Sequence, residues 1–79
     1  MMDIFKELQE IFVDVFDDES IVVTPELSAV DVEGWDSLAQ IRLVETIEAT
    51  FGFMFDMDEL EKAKNVGDMV EIIKNNITQ

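Results

Sequence analysis

The chain has 79 residues, of which 48% are hydrophobic and 30% charged, and its formal net charge is -14, from 19 acidic and 5 basic side chains. This length allows one core, so we expect a single domain over residues 1–79, folded rather than disordered. The negative charge disfavours binding to nucleic acid and to anionic membranes, and it predicts partners that present basic patches.

Cysteine and histidine are both absent from the sequence. A disulfide framework and a thiolate site are therefore excluded, and the commonest general base and metal ligand is missing. We expect neither a catalytic residue nor a metal site.

No apolar run approaches the roughly 18 residues needed to span a bilayer, and the acidic start at Asp3 is unlike a signal peptide. We therefore expect a cytoplasmic protein. We also expect it to be a monomer.

A first amphipathic helix is predicted from Asp3 to Phe16, because apolar residues recur on one helical face. They are Ile4, Phe5, Leu8, Ile11, Phe12, Val15 and Phe16. Residues 17–36 contain Pro25, Gly34 and scattered apolar anchors without a sustained period, which predicts one long ordered loop. Residues 21–24 have strand propensity, but the chain offers no second strand to pair with them.

A second helix is predicted from Ser37 to Phe51, followed by Gly52 as a left-handed cap. Its apolar face would carry Leu38, Ile41, Val44, Ile47 and Phe51. A short third helix should begin at Asp56 and stop near Lys64. Asp56 and Glu59 have the spacing of an acidic capping box there, and the inner face would consist of Met57 and Leu60.

The last helix is predicted to begin after Asn65, a good N-cap with Asp68 three residues later. Its buried face would carry Val66, Met69, Val70, Ile73 and Ile77. Three methionines near these helical faces, Met54, Met57 and Met69, are expected to be ordinary core residues. The predicted fold is all-α, a four-helix bundle of three long helices and one short helix with a long first loop.

The segment most informative about function is Gly34-Trp35-Asp36-Ser37-Leu38, where the loop meets the predicted second helix. A serine at this point lies at the positive end of a helix, where free backbone donors and the helix dipole favour a phosphate. The chain has no histidine to activate a serine, and no Gly-x-Ser-x-Gly elbow surrounds this one. Ser37 is better interpreted as an acceptor of a group than as a catalyst.

Two capping arrangements are compatible with this segment. Ser37 and Gln40 fit a capping box, in which the serine caps the helix and the glutamine reaches back. Local spacing alone favours this arrangement. Asp36 could instead cap the helix, which would leave the Ser37 hydroxyl at the first helical position and free to react. The sequence permits both.

The Asp-Ser-Leu segment resembles the attachment motif of the acyl carrier and peptidyl carrier protein family. In that family the motif begins the second helix of a four-helix bundle. The resemblance extends from about Asp3 to Ile77 and includes the long loop, Phe51-Gly52 and residues 65–68.

The resemblance implies that Ser37, with Asp36 and Leu38 as the rest of the motif, is the attachment site of 4'-phosphopantetheine. A magnesium-dependent phosphopantetheinyl transferase would supply this arm from coenzyme A. The arm's thiol would hold an acyl cargo as a thioester, and the protein itself would be a carrier and not an enzyme.

The family also presents acidic residues around an exposed apolar contact of its second helix to acyl-loading and acyl-processing enzymes. Leu38, Glu45 and Glu48 match this surface by the resemblance, and Arg42 lies among them. Arg42 stands where fatty-acid-type carriers commonly have an acidic residue, and Glu45 where they often have an apolar one. With the Gly34-Trp35 pair, these departures favour a specialised fatty-acid, polyketide or related pathway.

Two other functions are compatible with the sequence. The same arm could carry an aminoacyl or peptidyl group. Alternatively, an unmodified acidic helical adaptor would bind basic partners through its surface charge and use Ser37 only as a helix cap. Calcium buffering is disfavoured, because residues 56–59 lack the spacing and the glycine of a calcium loop.

Overall fold

A computed structural model describes residues 3–77. Within this range the helices are α1 (Ile4–Phe16), α2 (Ser37–Phe51), α3 (Met57–Lys62) and α4 (Val66–Ile77), and a short 3-10 helix covers Ala29–Asp31 in the first loop. Residues 3–77 contain no strand, which confirms the all-α prediction of three long helices, one short helix and a long first loop. None of the described helices is long and apolar enough to cross a membrane.

Polar and glycine caps define the ends of the helices. Asp3 caps α1, since its side chain accepts a hydrogen bond from the Lys6 backbone N–H at 3.2 Å. Gly52 ends α2 in the left-handed region with a φ of 75°, as predicted. Asp56 caps α3 through the backbone N–H of Asp58 at 2.9 Å, two residues on rather than the three of a capping box.

Helix α3 is shorter than predicted. It ends at Lys62 rather than near Lys64, because the next residue, Ala63, has an extended backbone with φ -71° and ψ 122°. Asn65 caps α4 as expected, and its Oδ1 accepts from the Asp68 backbone N–H at 2.9 Å. Residues 63–65 therefore lie outside both helices and connect α3 to α4.

The buried core is assembled from all four helices and from the loops between them. It consists of Leu8, Ile11, Phe12, Ile21, Val32, Leu43, Ile47, Phe55, Val66, Met69, Val70, Ile72 and Ile73. The predicted inner faces of α1 and α4 are confirmed, since every predicted member is buried or partly buried against this core.

The inner face of α2 differs from the predicted one. Leu43 is completely buried although the predicted face did not include it, whereas Leu38 and Ile41 remain 67% and 55% exposed. Met54 and Met57 are also exposed, so their assignment to the core was wrong, and Met69 alone of the three predicted methionines is buried. Helix α2 packs on α1 along the face of Leu43 and Ile47, which turns Leu38 and Ile41 outward.

Residues 21–24 are held by a side chain instead of by a second strand. Gln9 on α1 donates from Nε2 to the Ile21 carbonyl at 2.6 Å and accepts at Oε1 from the Val23 backbone N–H at 2.9 Å. The two ends of one amide thus satisfy two backbone groups, as a neighbouring strand would. This contact fixes the long loop against α1.

Candidate functional site

The start of α2 is capped by Asp36. Its Oδ1 accepts from the Ala39 backbone N–H at 2.9 Å, and its carbonyl accepts from the Gln40 N–H at 2.9 Å. Of the two arrangements that the sequence permitted, the structure shows capping by Asp36. Ser37 is then the first residue of the helix.

Trp35 fixes the chain just before this cap. Its indole Nε1 donates to Gln40 Oε1 at 2.7 Å, which employs the glutamine that a capping box would have turned toward Ser37. The indole also packs edge-on against Phe12 of α1, with ring centroids 5.3 Å apart, and lies 5.9 Å from the ring of Phe16. One aromatic side chain therefore joins the first loop, α1 and α2 immediately beside Ser37.

The Ser37 side chain is exposed, and its hydroxyl has no hydrogen-bond partner within residues 3–77. The backbone N–H groups of Ser37 and Leu38 likewise have no acceptor there, because a helix leaves its first donors unpaired. Free donors and the positive end of the helix dipole favour a phosphodiester at this position. The geometry therefore fits a phosphate-linked group on the Ser37 oxygen.

The other two serines of the chain are already engaged. The Ser20 hydroxyl donates to Asp18 Oδ1 at 2.6 Å, and the Ser28 hydroxyl donates to Asp31 Oδ2 at 3.2 Å. The hydrogen bonds from the Ser20 hydroxyl and backbone N–H lower the pKa of the exposed Asp18 carboxyl. Ser37 is thus the serine whose hydroxyl is exposed and free of hydrogen bonds in the described part of the chain.

The residues expected to contact partners lie along α2 from Ser37. Leu38, Arg42 and Glu45 are exposed, and the outward Ile41 extends the apolar contact beyond Leu38. The apolar spacing predicted Ile41 on the inner face of α2, and that assignment was wrong. Its proximity to Leu38, three residues along the helix, is the signal that could have indicated a second exposed apolar contact.

Glu48 is in a different situation from the rest of this surface. It is partly buried, and its Oε2 accepts from the Phe55 backbone N–H at 2.9 Å, which ties the end of α2 to the segment before α3. This structural contact occupies one carboxylate oxygen. Among residues 3–77 no group of three or more acidic side chains is arranged to hold a metal ion.

Two depressions meet beside Ser37. A shallow, open one is lined by Ser37 together with Ala29, Trp35, Asp36 and Gln40. A more enclosed cleft of about 160 Å³ lies between the 3-10 helix, α2, α3 and the start of α4. Ala29, Trp35 and Gln40 line both, so they form the wall between the serine and the cleft.

The chain is similar to proteins of known family over nearly its whole length. Residues 6–73 match the family described as "Phosphopantetheine attachment site". An acyl carrier protein of Helicobacter pylori is 33% identical over 75 residues, which cover 95% of this chain and 96% of that protein. One from Coprothermobacter proteolyticus is 36% identical over 74 residues, covering 94% of this chain and 90% of that protein.

A solved structure agrees with these relatives. The solution structure of a holo acyl carrier protein from Geobacter metallireducens superposes with a TM-score of 0.91 at 40% identity, covering 98% of this chain and 88% of that one. This superposition includes the helices α1 to α4 described above. The family match, the relatives and the fold agree, and the chain therefore belongs to the acyl carrier protein family, whose members are carriers with a covalently attached 4'-phosphopantetheine rather than catalysts.

Proposed function

We propose that this protein carries an acyl group on a phosphopantetheine arm attached to Ser37 and presents it to partner enzymes. The observation that carries the proposal is the Ser37 hydroxyl, which is exposed and unbonded on the first residue of α2 while Asp36 performs the capping. Ser20 and Ser28 are poorer acceptors, because their hydroxyls are already bound to carboxylates.

In the attachment step the Ser37 oxygen forms the new bond to the phosphate of coenzyme A that is nearer the pantetheine. The pyrophosphate bond breaks, adenosine 3',5'-bisphosphate leaves, and the serine proton passes to a base of the transferase. The free N–H groups of Ser37 and Leu38 favour the phosphodiester that results. When bound, the arm supplies a thiol that carries the cargo as a thioester.

We assign the partner contacts to the exposed face of α2. Leu38, extended by Ile41, provides an apolar contact, and Glu45 provides negative charge beside it. Glu48 contributes its remaining carboxylate oxygen, and Arg42 places one positive charge in the middle. Such a surface is complementary to basic patches on the transferase and on acyl-processing enzymes, since opposite potentials steer association and fix orientation.

The acyl cargo is favoured over an aminoacyl or peptidyl one because the relatives described above are named acyl carrier proteins.

A dedicated pathway is supported by Arg42, which reverses the charge expected on α2 of fatty-acid-type carriers. We expect the arm-bearing protein to be a poor substrate for the malonyl transfer enzyme of bacterial fatty acid synthesis. Arg42→Glu should improve kcat/KM, whereas Lys6→Glu, the same charge change on α1, should not. If the two substitutions change kcat/KM equally, Arg42 does not support a dedicated pathway.

The attachment itself is tested by mass spectrometry. The protein without its arm is incubated with coenzyme A, magnesium and a broad-specificity phosphopantetheinyl transferase, and one phosphopantetheine should be added. Ser28→Ala, the matched control, should gain the same mass, and Ser37→Ala should gain none. A gain that persists in Ser37→Ala would overturn the assignment. No gain in the unaltered protein, when another carrier protein in the same tube is modified, would favour the acidic adaptor.

A further inference from the structure

The choice of capping residue at the start of α2 decides whether the Ser37 hydroxyl is available. With Asp36 as the cap, its carboxylate accepts from the Ala39 backbone N–H at 2.9 Å, and the Ser37 hydroxyl has no partner within residues 3–77. With Ser37 as the cap, that hydroxyl would instead accept from the Gln40 backbone N–H and turn in over the helix end. Capping by Asp36 is therefore the arrangement that presents a free hydroxyl to a transferase.

The two capping arrangements are nearly balanced as local structures. Aspartate and serine are about equally good helix caps. Capping by Ser37 would also gain from Gln40, because a glutamine three residues after a capping serine can accept from the backbone N–H of that serine. The Ser37 backbone N–H has no acceptor among the described residues, so it is free to make this bond. A contact from outside the helix start is therefore needed to favour Asp36.

Trp35 provides such a contact. Its indole Nε1 donates to Gln40 Oε1 at 2.7 Å, and this oxygen is the atom that a capping box would use. The indole is itself held in place, because its ring packs against Phe12 and Phe16 with centroids 5.3 and 5.9 Å apart. The Trp35 backbone N–H also donates to the Val32 carbonyl at 3.2 Å. Gln40 is thus bound by a donor that is fixed to α1 and to the first loop.

We infer that Trp35 and Gln40 are positioning residues for the modification of Ser37. Their hydrogen bond keeps the glutamine oxygen away from the helix start, so Asp36 remains the cap and the Ser37 oxygen remains free to attack the phosphate of coenzyme A. Neither side chain has to touch the reacting atoms for this effect. The inference rests on the proposed function, because it concerns the transfer of the arm to Ser37.

The test is a double-mutant cycle whose readout is the transfer of phosphopantetheine. Trp35→Phe keeps an aromatic ring beside Phe12 but removes the indole N–H, so Gln40 Oε1 is released. With coenzyme A, magnesium and a broad-specificity transferase, kcat/KM for this variant should fall about fivefold, the change in population that corresponds to one helix cap. In a Gln40→Leu background the same Trp35→Phe change should alter kcat/KM by less than about twofold, because no amide remains to compete.

Gln9→Met is the control for a general loss of stability. It removes two hydrogen bonds between α1 and the first loop but leaves Trp35, Gln40 and the cap of α2 unchanged. Its kcat/KM should therefore match that of the unaltered protein. All variants are compared at a temperature at which circular dichroism shows each of them folded.

The carbon chemical shifts of Ser37 give a readout that involves no enzyme. Ser37 is the first helical residue in the structure, whereas a capping residue has an extended backbone, and the Cα and Cβ shifts distinguish the two conformations. In Trp35→Phe these shifts should move from helical toward extended values. They should stay helical when Trp35→Phe is combined with Gln40→Leu.

Four results would overturn the inference while the proposed function stands. They are an unchanged kcat/KM in Trp35→Phe, unchanged Ser37 shifts in that variant, an equal reduction by Trp35→Phe in both backgrounds, and a reduction in Gln9→Met as large as that in Trp35→Phe. Absence of any loading on Ser37 of the unaltered protein would instead overturn the proposed function, and the inference with it.

Discussion

Trp35 and Gln40 form the hydrogen bond that fixes the approach to Ser37, with Nε1 and Oε1 2.7 Å apart. In Gln40→Leu the partly buried indole N–H loses its acceptor, so we expect a loss of about 1–3 kcal/mol in the free energy of unfolding. Gln40→Glu keeps an acceptor and should lose less. Urea midpoints followed by Trp35 fluorescence measure both. If the two variants are equally stable, the hydrogen bond does not contribute.

The capping of α2 predicts an order of stability for two neighbouring variants. Asp36→Ala removes the acceptor of the Ala39 N–H and a favourable charge at the helix start, at a cost of about 1 kcal/mol. Ser37→Ala should cost little, because its hydroxyl has no partner in the described range. Denaturant midpoints of the unmodified variants decide this. A Ser37→Ala variant clearly less stable than Asp36→Ala would show that the hydroxyl is engaged.

The two hydrogen bonds of the Gln9 amide predict that substitutions of this residue on α1 lower stability. Gln9→Met leaves the Ile21 carbonyl and the Val23 N–H unpaired, and we expect about 1–3 kcal/mol less stability by urea denaturation. Gln9→Glu keeps the acceptor but sets a carboxylate against the Ile21 carbonyl. Its deficit relative to the unaltered protein should shrink below pH of about 4, where a protonated Glu can donate. A deficit independent of pH would contradict this geometry.

The local signals in the sequence predicted the helices and most of their ends. Gly52 after α2 and Asn65 before α4 act within one helical turn, so their effect can be read from adjacent residues. The capping register at Ser37 could not be decided in this way, because Asp36 and Ser37 are both good caps. The decision depends on Trp35, which holds Gln40 away from the helix start.

The remaining differences come from contacts between residues far apart in the chain. Gln9 satisfies backbone groups 12 and 14 residues away, and no local pattern indicates such a pairing. On α2 the period of apolar residues is compatible with more than one inner face. Packing on α1 selects the face of Leu43 and leaves Leu38 exposed next to Ser37. The exposed part of the candidate site is therefore a consequence of tertiary packing.

Asp18 gives a prediction for pH dependence. Hydrogen bonds from the Ser20 hydroxyl and backbone N–H lower its pKa, so the folded state favours the charged form. The associated stabilisation is present above the pKa of the unfolded chain and is lost as pH falls through the lowered folded value. Ser20→Ala removes the hydroxyl and should raise the Asp18 pKa in an NMR titration of side-chain carboxyl signals, with Ser28→Ala as the control. An unchanged pKa in Ser20→Ala would contradict this cause.

The net charge of -14 predicts that salt stabilises the fold. Carboxylates far outnumber cations in this small domain, so they repel one another. Added ions screen the repulsion between exposed charges that lie more than about 10 Å apart at 0.1 M salt. The melting temperature should rise with sodium chloride and more steeply with magnesium chloride. A variant with fewer carboxylates separates the screening of repulsion from general effects of ions on stability. Replacing four exposed glutamates by glutamine, at Glu10, Glu33, Glu61 and Glu71, should raise the melting temperature at low salt and flatten its dependence on salt. The same salt dependence in both proteins would show that repulsion does not limit stability.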